Sequence, residues 1–255
     1  MQPVTISIKS NVESAMAKWG VQTKKTINYA TRKAVAKTAE AIRQSEYAEM
    51  RRVFNAPTPY TLNSVENKMI QSDPATARVW LKYFSSKGNP AEKFLMPEIF
   101  GGSRTLKRFE RALANKGVLP PNQYIVPGSA CPLDAFGNIP ARFIVQILSY
   151  FEAFPESGYK ANMTDKRRKR MAKGTKSRHG VAYFVGSPGG APYGIWRRNT
   201  SVHVSGSGVE PIMIFVKAPH YRALMQWETV GRRTIATQYV PNFNAAMRDA
   251  LTRRV

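Results

Sequence analysis

Cysteine is nearly absent: Cys131 is the only one in 255 residues. An internal disulfide is excluded, and with three scattered histidines little remains from which to build a zinc site. A reducing compartment fits this composition. No run approaches the roughly 18 consecutive apolar residues of a membrane span. The opening MQPVTISIKSN lacks the basic start and apolar core of a secretory signal, so a product made in the cytoplasm, with no membrane partner, is expected. Acidic residues are also scarce, with 16 Asp and Glu against 39 Lys and Arg. The resulting charge of +23 points to polyanions or acidic proteins as neighbours. Against these shortages, 43% apolar and 11% aromatic content is ample for a buried core, so the chain is read as folded.

Catalytic signatures are missing as well. There is no GxSxG elbow, no CxxC and no HExxH, and the acids are too dispersed for a metal-dependent nuclease. His179, His203 and His220 each stand alone. DAFGN at 134–138 has the residues of a tight turn, and GSPGG at 186–190 lacks the Lys-Ser/Thr that a phosphate loop requires. No catalytic residue, metal ligand or cofactor is expected.

Periodicity supplies the elements. Val4, Ile6 and Ile8 alternate with polar residues, which predicts a strand. Ser10 and Glu13 have capping-box spacing, and Val12, Met16, Trp19, Thr23, Ile27, Ala30 and Ala34 mark a helical stripe that continues to about Phe54. Unbroken, at about 1.5 Å per residue, this N-terminal helical region (10–55) would exceed ~60 Å, so it either breaks at Gly20 or projects. Thr58 and Pro59 open a short helix. Segments 65–70 and 77–84 read as a hairpin turning at Asp73-Pro74, followed by a loop at 85–90. Leu106, Phe109 and Leu113 form one helical face, and Ile144, Ile147, Leu148 and Phe151 another. Short strands are predicted at 124–126, 182–186 and 211–216. A final helix has Leu224, Trp227, Gly231 and Ile235 on one face, with an interruption at Pro241. Helices alternating with short, hairpin-spaced strands give an α+β class, with a long N-terminal helix and further helices on a mainly antiparallel sheet.

The segment TDKRRKRMAKGTKSRHG, 164–180, lies inside a basic insertion at 160–180. Lys166, Arg167, Arg168, Lys169, Arg170, Lys173, Lys176 and Arg178 are candidates for contact with nucleic acid or an acidic partner. Three readings stay open here. The segment is a solvated, mobile loop, including one that orders on an acidic neighbour, a non-specific DNA contact, or a sequence-specific one. No aromatic residue lies between Thr164 and Gly180, which argues against single-strand stacking.

Several stretches resemble, in order and spacing, the Z-type minor tail or tail completion proteins of long-tailed bacteriophages. They are FLMPEIFGGSRTLKRFERAL at 94–113, GVLP at 117–120, VPG at 126–128, DAFGN at 134–138, QILS at 146–149, GIWRR at 194–198 and PIMIFVKAPHYR at 211–222. The resemblance runs from about residue 50 to the end and treats 1–255 as one tail-completion-like domain. It implies a virion protein of the tail and neck that finishes the tail and joins it to the head connector around the DNA channel. It further implies a homo-oligomer, a hexameric ring, touching the tail terminator or tube protein, head-completion proteins and genomic DNA. Tyr193, Ile195 and Trp196, read as lying in a Gly/Pro loop, are candidate subunit-interface residues, with packing beneath the loop as the alternative. An independent nucleic-acid-binding protein is the competing function.

Overall fold

The computed structural model describes residues 5–9, 20–85, 89–154, 161–175, 179–199 and 208–252. Val4, the Ser10–Glu13 capping box, Val12, Met16, Trp19, Lys176, Arg178 and His203 therefore lie outside the described residues. In chain order the elements are β1 (Thr5–Lys9), α1 (Val21–Val53), α2 (Pro59–Leu62), β2 (Val65–Ile70), β3 (Asp73–Leu81) and α3 (Ala91–Phe100). There follow β4 (Gly102–Ser103), α4 (Arg108–Asn115), β5 (Gln123–Pro127), α5 (Ala141–Tyr150), α6 (Asp165–Lys173), β6 (Val181–Gly186), β7 (Gly194–Asn199), β8 (Val209–Lys217), β9 (His220–Tyr221) and α7 (Trp227–Thr252). The class is α+β, and the two larger sheets are antiparallel throughout. Within the span read from sequence as one domain, the chain gathers into two compact units: Met1–Gly102 with Tyr221–Val255, and Ser103–His220.

In the first unit a three-stranded sheet, ordered β1-β3-β2, lies against α1. Helix α1 starts after Gly20, whose extended backbone serves as N-cap, and its 33 residues span about 50 Å. It does not project alone, because α7 runs beside it. Thr234 Oγ1 donates to Ser45 Oγ at 3.0 Å, Asn242 Nδ2 donates to Thr38 Oγ1 at 3.2 Å, and Lys33 pairs with Asp249. Residue numbers fall on one helix as they rise on the other, so the pair is antiparallel. Ala30, Ala34, Ala246 and Ala250 are all buried, and these small side chains permit close approach of helices. The core joins Val35, Ala39, Ile42 and Met50 to Ile8, Val65, Val79, Leu81, Leu95 and Trp227.

Three details differ from the sequence reading. Helix α7 continues through Pro241, which is exposed, since cross-links at Thr234, Asn242 and Asp249 hold it on both sides of the lost amide bond. Leu224 precedes this helix and is exposed, whereas Trp227, Val230, Gly231 and Thr234 are buried. The hairpin turns at Gln71-Ser72, so Asp73 and Pro74 open β3. In addition, α3, with Ala91 and Leu95 buried, occupies a stretch in which no helix was predicted.

The second unit is built on a four-stranded sheet, β5-β8-β7-β6. Leu113 from α4 and Phe143, Ile147 and Leu148 from α5 share its core with Ile125, Tyr183, Ile195, Ile212, Met213 and Phe215. Strand β7 runs where a loop was expected, and this corrects the interface assignment: Ile195 is 0% and Trp196 6% exposed, so both are core residues. Tyr193, at 45%, is exposed and meets Phe215 edge-on with ring centroids 5.6 Å apart. Strand order explains the burial, because β7 lies between β6 and β8 and is an inner strand. Gly194 sits close against β8: a Cβ there would lie 2.3 Å from the Met213 carbonyl oxygen. Gly194→Ala is expected to cost about 1–3 kcal/mol through overpacking, read as a lower midpoint in urea with an unchanged slope.

Candidate nucleic-acid interface

Residues 165–173 form a helix, which corrects the loop reading for this stretch. The reasons are local. Thr164 is the N-cap and its Oγ1 accepts from the Arg167 amide at 3.3 Å. Asp165 occupies the first turn and Arg170 and Lys173 the last, the signs that the helix dipole favours at each end. Gly174 closes the helix at φ 69°. Repulsion among the basic residues is offset by anchoring. Met171 is partly buried against the core of the second unit, and just before the helix Met163 is buried with its amide donating to the Ser149 carbonyl at 2.9 Å.

One cation of the run differs from the rest. Arg168 is only partly exposed; its guanidinium lies 2.6 Å from Glu152 Oε1, pairs with Asp165, and donates to the Tyr150 carbonyl at 3.1 Å. Asp165 and Glu152 hold its pKa above the ordinary arginine value, and Arg168 in turn draws both carboxylates below theirs. Glu152 also faces Lys116 at 3.6 Å. It follows the end of α5 in a left-handed conformation, φ 53°, that non-glycine residues seldom adopt. Nothing in the local sequence singled out Arg168 or Glu152; their pairing depends on how α5 and α6 meet.

Lys166, Arg167, Lys169, Arg170 and Lys173 are exposed. Among the described residues none of the five forms an ion pair. The described acids of the second unit are engaged elsewhere. Its five described acids are all committed: Glu110 to Arg104, Glu152 and Asp165 to Arg168, Glu210 to Arg197, and Asp134 to the amides of Phe136 and Asn138 in its own turn. That last geometry is the turn expected for DAFGN, with Gly137 at φ 75°. GSPGG ends β6 and passes through a single helical turn at 188–190, which makes it a connection between strands. His179 and His220 are exposed and apart from α6's basic face in sequence.

No group of three or more His, Cys, Asp or Glu among the described residues is placed to hold a metal ion. No helix among them is long and apolar enough to cross a membrane. Comparison with protein-family models, with curated proteins and with solved structures finds no match to this chain.

Proposed function

We propose that this chain is a structural protein of a virion neck, completing the tail and joining it to the head connector around the DNA channel as one subunit of a hexameric ring. The observation that carries the reading is the ordered set of tail-completion-like stretches from 94–113 to 211–222. Several of them are framework segments: 94–113 runs from α3 through most of α4, 194–198 lies in β7, and 211–217 is the greater part of β8. Its partners in this reading are the tail terminator or tube protein, the head-completion proteins and genomic DNA. In this role the chain acts through shape and contact, with no reaction to catalyse.

The test is assembly in a virus that encodes the protein and from which its reading frame has been deleted. Negative-stain imaging is expected to show filled heads separate from tails, or tails of defective length, with infectivity restored by supplying the protein. Normal, attached and infectious tails would reject the proposal. A second reading, an independent non-specific nucleic-acid-binding protein, is favoured by the exposed cations of α6. It predicts a protein that binds free duplex and is absent from purified particles.

A further inference from the structure

We infer that α6 is a preformed docking face for the phosphates of duplex nucleic acid, and that the contact of Arg168 with Glu152 and the Tyr150 carbonyl latches it in its binding pose. The inference rests on α6 being a polyanion contact and holds under either function proposed above.

The five exposed cations lie within one helix of nine residues, about 13 Å long. Lys166, Lys169, Arg170 and Lys173 follow the spacing i, i+3, i+4, i+7 and form a single stripe, with Arg167 flanking it. The other side of the helix is already occupied. Met171 packs on the core and Arg168 reaches the end of α5. This removes the apolar anchors that other partners require. A protein partner of ordinary affinity needs a desolvated apolar centre, and a membrane-surface helix needs an apolar face to insert. The exposed stripe of α6 offers neither. Single strands are recognised by aromatic stacking, and the segment from Thr164 to Gly180 has no aromatic residue. A phosphate backbone asks only for fixed positive charge, which is what remains.

Arg168 is the positioning residue. It belongs to the basic run in sequence, yet its charge is spent on two carboxylates and a carbonyl. Its fork ties α6 to the left-handed turn at Glu152, so the stripe need not be ordered when ligand arrives. The sign of one substitution separates this latch from simple electrostatics. Glu152→Gln removes a negative charge close to the site; on charge alone, affinity for a polyanion rises. If Glu152 holds the latch, affinity falls.

The experiment is fluorescence anisotropy of a duplex DNA of arbitrary sequence, titrated with the full chain at several salt concentrations. The wild type is expected to bind with log K falling against log salt. Changing Lys166, Arg167, Lys169, Arg170 and Lys173 together to Gln is expected to flatten that slope by up to about 4.5 units, at roughly 0.9 per phosphate contact. Glu152→Gln is expected to weaken binding by about fivefold or more with the slope nearly unchanged. Arg168→Lys keeps the charge but loses the fork, and is expected to do the same, so the latch stays testable if Glu152→Gln folds poorly. Failure of the wild type to bind duplex, or binding to poly-glutamate in its place, overturns the phosphate assignment. Duplex binding by Glu152→Gln and Arg168→Lys at or above wild-type affinity overturns the latch alone.

Discussion

Replacing Glu46 by Gln is expected to leave stability almost unchanged below pH 4.5 and to raise it relative to the wild type as pH increases toward 8. The plateau above that is on the order of 5 kcal/mol. Glu46 lies on α1 among the positions that bury Val35, Ala39, Ile42 and Met50 in the core of the first unit. It is 0% exposed, and neither carboxylate oxygen has a hydrogen-bond partner among the described residues. Burial pushes its pKa up to about 8, with the nearby Glu49 carboxylate adding to the rise. A folded-state pKa above the unfolded value means that the native protein holds a proton that the unfolded chain releases. Stability is therefore complete below the unfolded pKa and declines as pH climbs through the folded one. Gln cannot ionise and escapes the decline. Glu46→Met also removes the unpaired polar atoms, and is expected to be more stable than the wild type at every pH. Urea unfolding of the three proteins between pH 4 and 9 makes the measurement; a Gln variant whose advantage does not change with pH would show that Glu46 is paired or hydrated.

A second buried glutamate is expected to behave in the opposite way. Glu110, also 0% exposed, accepts from Nη1 and Nη2 of Arg104, each at 2.6 Å, from the Lys107 amide at 2.5 Å and from the Ile125 amide at 2.9 Å. Burial alone would raise its pKa, but the Arg104 pair and the two amides outweigh burial and leave it below the ordinary value. One carboxylate thus caps the start of α4, holds the middle of β5 at Ile125 and balances an arginine that itself lies over the Tyr124 ring at 4.9 Å. Glu110→Ala takes the carboxylate from a largely buried cation and the acceptor from two amides, and is expected to cost about 3–5 kcal/mol. Replacing Arg104 and Glu110 together by Met and Leu is expected to cost less than Glu110→Ala alone, because the buried cation is removed with its carboxylate and only the two amides lose their acceptor. Here the folded-state pKa is depressed, so the contribution is present above the unfolded pKa and is lost as pH falls through the folded one. Denaturant midpoints for the single and double variants decide it; a loss under about 1 kcal/mol for Glu110→Ala would mean that water takes over both roles.

The two glutamates show where reading a sequence stops. Both are helical, neither belongs to a recognisable site motif, and local pattern gives them the same value. Only the surroundings assign one to a four-donor knot and the other to an unpaired place in the core. The same holds for Ile195 and Trp196. Their Gly/Pro flanks read as loop, while their position on an inner strand is set by β6 and β8 on either side. For α6 the signals are present in Thr164, Asp165 and Gly174, but a run of like charges favours a helix only with the partners that Arg168 finds beyond it, in Glu152 and the Tyr150 carbonyl.

By itself the sequence determined the α+β class, the course of α1 up to Phe54, the β2–β3 hairpin in outline, the Asp134 turn and the excess of positive charge. Each depends on residues a few positions apart, where hydrophobic period and turn chemistry act directly on the backbone. The tertiary structure alone decided the division into two units, the burial of β7, the opposite fates of Glu46 and Glu110, and which of the basic residues is turned inward. These are set by packing between segments far apart in the chain, and burial and pairing energies depend on the neighbours that packing supplies.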